Sequence, residues 1–126
     1  MSAILVDTSI WVAHLRAGDA SLSRMLDAGG VAIPPFVIGA LALGHLRRRD
    51  VVLGALADLP RLPCATDEEV LAFIDAADLA GRGIGYVDAH LLAALKLAPG
   101  TLLWTRDRRL DEGARRLDLA MSPHDI

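Results

Sequence analysis

The chain has a single cysteine, Cys64, in 126 residues. One thiol closes no internal disulfide and has no companion for a zinc site, so Cys64 reads as packing and a reducing compartment is expected. Long apolar runs are also missing. Although 53% of the residues are hydrophobic and the mean hydropathy is positive, no uninterrupted stretch approaches the length that spans a bilayer. No leader is expected either, because Met1-Ser2-Ala3 runs directly into the first predicted strand, and a cytoplasmic location follows as the expectation. Nor is there an excess of positive charge. Thirteen Lys and Arg against sixteen Asp and Glu give a formal net charge of −3, which argues against coating nucleic acid by bulk attraction while leaving room for local basic patches. Internal repeats, low-complexity tracts and linkers are not found, so one domain over residues 1–126 is expected.

What is present begins with Ile4-Leu5-Val6, a short continuous apolar run of the kind that suits a parallel strand covered on both faces. It stops at Asp7, followed by Thr8 and Ser9. An acid at the carboxyl end of a strand lies where open α/β sheets bind ligands. The plainer alternative is that Asp7 or its hydroxyl neighbours only cap the next helix. Helices are predicted over Ile10–Arg16 and Ala20–Ala28, each ended by glycine, then a strand at Val31-Ala32-Ile33. Pro34-Pro35 opens a strongly apolar helix from about Phe36 to Arg48. Gly39 and Gly44 inside it suggest close helix packing, and Arg47-Arg48-Arg49 suits its C-terminal end.

Another short helix is predicted from Asp50 to Leu59, and Pro60 to Cys64 forms a connection with room for a brief strand. Thr66 and Glu69 have the spacing of a capping box, which assigns Glu68 and Glu69 to starting a helix that runs to about Ala80. Gly81-Arg82-Gly83-Ile84-Gly85 reads as a flexible turn and does not match a dinucleotide fingerprint. A helix opens at Tyr86, with Asp88 in its first turn, and runs toward Pro99-Gly100. Thr101–Thr105 is a strand, Asp107 follows it, Arg108–Leu117 is a helix, and Leu119-Ala120-Met121 adds an edge strand. Strands alternating with helices predict an α/β fold with a central parallel sheet flanked by helices.

Asp7 and Asp107 follow strands and Asp88 begins a helix, so all three can meet along one edge of the sheet. Acids brought together repel unless a divalent cation neutralises them. Mg2+, or Mn2+, favours such oxygen ligands and keeps waters, one of which becomes a nucleophile; the implied chemistry is phosphodiester hydrolysis. Thr105 is placed to hydrogen-bond a ligand or phosphate.

These residues resemble the PIN-domain ribonucleases, in particular the VapC-type toxins of toxin–antitoxin modules. The resemblance rests on four blocks in order: Val6 to Trp11, Pro35 to Gly44, Tyr86 to Leu92, and Leu103 to Leu110. It implies a single PIN-like domain, an endoribonuclease activity, Asp7, Asp88 and Asp107 as catalytic acids and metal ligands with Thr105 beside them, a homodimer, and a cognate antitoxin covering the acidic site. The apolar helix from Phe36 to Leu46 is a reasonable place for such contacts. There is one departure, since the family pattern carries glutamate where this chain has Ala40. Alanine ligates no metal, so Ala40 reads as an inactivating substitution in an otherwise faithful motif.

The remaining polar residues carry less. His90 is read as a polar or surface partner, and His14, His45 and His124 lack metal-pair spacing. Trp11 and Trp104 are read as core. Arg82, Arg106, Arg108 and Arg109 are candidate RNA-phosphate contacts or solvated surface. A noncatalytic module retaining antitoxin or RNA contacts is the alternative function. A phosphotransfer domain falls behind, because Ser9 stands where a phosphatase needs its second aspartate and Thr105-Arg106 where a receiver needs lysine.

Overall fold

The computed structural model describes residues 3–122; His124 lies outside them. Strand β1, Ile4–Val6, is the centre of the sheet. Leu5 and Val6 are fully buried, as a strand covered on both faces requires. On one side β1 pairs in parallel with β2, Val31–Ala32, and on the other with β3, Leu102–Trp104, giving the order β2-β1-β3. The register sets Ile4 opposite Val31 and Val6 opposite Trp104. The two further strands expected at the edges reduce to single parallel bridges, Ile33 with Arg61 and Leu103 with Ala120. Pro60 and Pro63 donate no backbone hydrogen bond, which limits the first of these to one pair.

Helices α1, Thr8–Ala17, and α2, Ala20–Asp27, connect β1 to β2. Four more lie between β2 and β3: α3, Pro35–Ala42; α4, Arg49–Ala57; α5, Asp67–Ala76; and α6, Tyr86–Leu97. Helix α7, Arg108–Arg116, follows β3. Helix α6 buries Ala89, Leu91, Leu92, Ala93, Ala94 and Leu95, more than one face of a helix, so it runs through the core and not along the surface. The α5 start is a complete capping box: the Glu69 amide donates to Thr66 Oγ1 at 3.1 Å and the Thr66 amide to Glu69 Oε1 at 2.9 Å. The α/β expectation therefore holds. Because the chain passes from β1 to β2 and then returns to place β3 on the opposite side, strand order reverses between β1 and β3. Their carboxyl ends define the crevice where such sheets bind ligands.

Several local expectations are corrected. The helix expected over Phe36–Arg48 ends at Ala42, and a turn precedes α4. Leu41 is 3% exposed but Leu43 is 91% exposed, so beyond Leu41 the apolar stretch has nothing to pack on, and the chain turns to bring Leu56 of α4 onto the core. Arg48 takes the left-handed conformation, φ 52°, as the residue before α4; the arginine run thus precedes a helix instead of closing one. A Cβ at Gly39 would meet nothing within 4 Å, so no close helix packing explains that glycine. Helix α5 stops at Ala76, four residues early, with Asp78 at φ 53°. Cys64 is exposed, because Leu62 and Ala65 take the inward positions of that segment. The glycine loop is packed rather than open: a Cβ on Gly83, φ 75°, would lie 2.5 Å from Arg109 Nη1, and one on Gly113 would lie 2.8 Å from Ile84 Cδ1.

Candidate active site

Asp7 ends β1 and caps α1. Its carboxylate Oδ1 accepts from the Thr8 amide at 2.8 Å and from Thr8 Oγ1 at 3.3 Å, while Oδ2 accepts from Ser9 Oγ at 3.0 Å. A fourth donor arrives from just past the neighbouring strand β3, ninety-eight residues away in sequence: Thr105 Oγ1 donates to Asp7 Oδ2 at 2.8 Å. Thr8 and Ser9 are therefore not the cap but its hydroxyl donors. Capping alone would leave the acid at the surface, whereas Asp7 is 6% exposed and is one of two buried polar residues among those described. A buried carboxylate needs such donors, because an unpaired one costs several kcal/mol.

Thr105 joins the second acid to the first. Its Oγ1 accepts from the Asp107 amide at 3.0 Å, and Asp107 Oδ1 in turn accepts from the Leu110 amide at 3.0 Å, capping α7. Asp88 stands in the first turn of α6, behind the Gly85 cap. Burial pushes its pKa from 3.8 to about 6, and the negative charges of Asp7 and Asp107 push in the same direction. Asp88 therefore lies within electrostatic reach of both Asp7 and Asp107. Among the described residues no three acids, histidines or cysteines stand close enough to form a ready-made metal cluster.

The remaining candidates are placed as follows. Ala40 is exposed on α3 and lines a cavity with Val12 and Arg16 of α1. Each proposed RNA-contacting arginine has an internal acid: Arg82 with Asp78 at 3.0 Å, Arg106 with Asp19 at 3.3 Å, and Arg108 with Glu112 at 3.4 Å. Arg109 lies over Gly83. His90 is half-buried between aromatic rings, 4.9 Å from Tyr86 and 5.9 Å from Phe36 by centroid, with Nε2 3.4 Å from Asp67. His14 accepts from the Asp19 amide through Nδ1 at 3.0 Å. Trp11 is buried and Trp104 is partly buried against the core.

The PIN domain family model matches residues 4–116. The chain belongs to the PIN domain family. It is also 46% identical over 119 residues to Ribonuclease VapC32 of Mycobacterium tuberculosis, found in two strains, an alignment covering 94% of this chain and 96% of that relative. The family resemblance carried by the four sequence blocks is thereby borne out, and the matched PIN region contains every element from β1 to α7. Among the described residues no helix is long and apolar enough to cross a membrane.

Proposed function

We propose that this PIN domain is an endoribonuclease toxin of a toxin–antitoxin module, which hydrolyses RNA phosphodiester bonds at an acidic site served by Mg2+ or Mn2+. Its activity is weakened or lost because Ala40 replaces a catalytic glutamate. The observation that supports this reading is the convergence of Asp7, Asp88 and Asp107, delivered by three separate segments, on the crevice between β1 and β3. The 46% identity to a protein named a ribonuclease favours the same chemistry.

The donors suit a hard divalent cation in kind, since carboxylate oxygens are hard ligands and the negative charge facing Asp88 is relieved by a cation. Magnesium commonly takes one or two carboxylates and fills its other positions with water and substrate phosphate, so a closed three-acid cluster is not needed. Asp7, Asp88 and Asp107 are the proposed ligands. A divalent cation bound there supplies an activated water and offsets charge on the attacked phosphate. The chain's own residues supply position: Thr8, Ser9 and Thr105 fix the Asp7 carboxylate in one orientation, and Thr105 also fixes the segment that carries Asp107. Asp88, with its raised pKa, is the acid whose charge responds most to an arriving cation. Arg82, Arg106 and Arg108 are proposed RNA contacts that exchange their internal acids for phosphate.

Residues 1–126 are taken as one PIN-like domain acting in the cytoplasm as a homodimer, with a cognate antitoxin as its neutralising partner. The second reading, a noncatalytic module that keeps RNA or antitoxin contacts, is favoured by Ala40 itself.

Cleavage of RNA by the native chain and by Ala40→Glu, each with magnesium, manganese or a chelator, tests the proposal. Ala40→Glu is expected to cleave roughly a hundredfold or more faster, the scale of one positioned catalytic carboxylate. Chelation or an added Asp7→Asn should abolish the gain. If neither protein cuts total cellular RNA, the noncatalytic reading replaces this one.

A further inference from the structure

A cavity of about 420 Å³ opens between the C-terminal half of α1, the end of α3 and the turn that follows it. Its wall contains Arg16, His45 and Arg47, and no acidic residue. In a chain with net charge −3, an acid-free hollow carrying two guanidinium groups and an imidazole is a local reversal of sign. Such hollows focus potential and concentrate anions. The arginines along α5–α6 and α7 differ: Arg82, Arg106, Arg108 and Arg115 each sit on a carboxylate within 3.4 Å. Among the described residues Arg16, His45 and Arg47 have no hydrogen bond or ion pair through their side chains. Their donors are available to a ligand at no cost in lost internal pairs.

We propose that this cavity is an anion subsite seating a phosphate of the RNA strand that neighbours the bond to be cut, with Arg16 and Arg47 as charge-assisted donors and His45 as a further ring N–H donor. The inference rests on the ribonuclease reading of the PIN domain and extends its substrate track. Asp7 caps one end of α1 and Arg16 stands near the other, nine residues on, so the backbone of Arg16 lies about 13 Å along the helix from that of Asp7 at 1.5 Å per residue. Ala40 lines the same cavity. Its methyl group leaves the hollow without negative charge, whereas a carboxylate at position 40 would face the same guanidinium groups. Phosphate contacts of this sort set the register and orientation of a nucleic acid without reading its bases. The guanidinium fork matches phosphate oxygens well.

Equilibrium binding of a short labelled single-stranded RNA, measured over a range of salt concentrations with chelator present to prevent cleavage, tests this. Arg16→Ala and Arg47→Ala are surface substitutions and should each weaken binding by about threefold to tenfold. Each should also reduce the slope of log affinity against log salt by about 0.7, the value for one single-strand phosphate contact. Arg61→Ala, on an exposed position of the far sheet edge, should change neither. Ala40→Glu should weaken binding even as it raises cleavage, which separates the two proposals. If Arg16→Ala and Arg47→Ala bind like Arg61→Ala, the subsite is overturned whatever Ala40→Glu does in the cleavage assay. A native chain that binds no RNA also overturns it, as does loss of polyglutamate binding with RNA binding intact, which would assign the cavity to an acidic protein partner. If the arginine dependence is found but Ala40→Glu cuts nothing, the subsite stands and the nuclease reading fails.

Discussion

Asp88 shows how one side chain ties stability to site chemistry. Its native pKa of about 6 lies above the ordinary 3.8 because the folded chain buries it beside Asp7 and Asp107. Between about pH 4 and pH 6 the native state therefore holds a proton that the unfolded chain has released, and stability falls as pH rises through that window. Thermal melts should show this decline, and Asp88→Asn, which removes the titration, should flatten it and melt above the native chain at neutral pH. An unchanged pH profile in Asp88→Asn would show that the acid is not held against its neighbours. Asp7 makes the complementary point, since four donors satisfy a carboxylate that is almost fully buried.

At the scale of elements, glycines distinguish packing from conformation. Gly39 in α3 has open space where a Cβ would be, so Gly39→Ala should stabilise the protein by about 0.5–1 kcal/mol through helix propensity and the unfolded state. Gly83 has φ 75° and Arg109 against it. Gly83→Ala should destabilise by about 1–2 kcal/mol, because an L side chain in the left-handed region is strained and the arginine must also move. Denaturant unfolding of the two variants should give shifts of opposite sign. Much of the element order was legible because strong local signals coincide with it: the Thr66 capping box, the Pro34-Pro35 break and the continuous apolar run at Ile4. The α3–α4 boundary was not legible. Apolar residues continue past Ala42 to Leu43 and return at Leu46, and the absence of a packing surface beyond Leu41 ends the helix.

For the whole molecule, cation binding should couple to folding. Magnesium or manganese at a hundredfold excess over its dissociation constant is expected to add about 2.7 kcal/mol of stability to Ala40→Glu, read as a rise in melting temperature that chelator reverses and Asp7→Asn removes. The native chain should respond less. The sequence by itself determined the PIN family, the parallel α/β architecture and the three candidate acids, because each acid lies in a short block whose neighbours set its strand end or helix start. It also exposed the alanine at position 40, since a single departure is visible within a contiguous motif. Only the tertiary structure decided the rest. It placed Thr105 on Asp7 across ninety-eight residues of chain, paired Arg106 with Asp19 across eighty-seven, turned Cys64 outward, and gathered Arg16, His45 and Arg47 around one cavity. Those outcomes depend on which surfaces meet when the sheet and helices close on each other. Side-chain pairings between distant segments leave no periodicity or spacing along the chain from which they can be read.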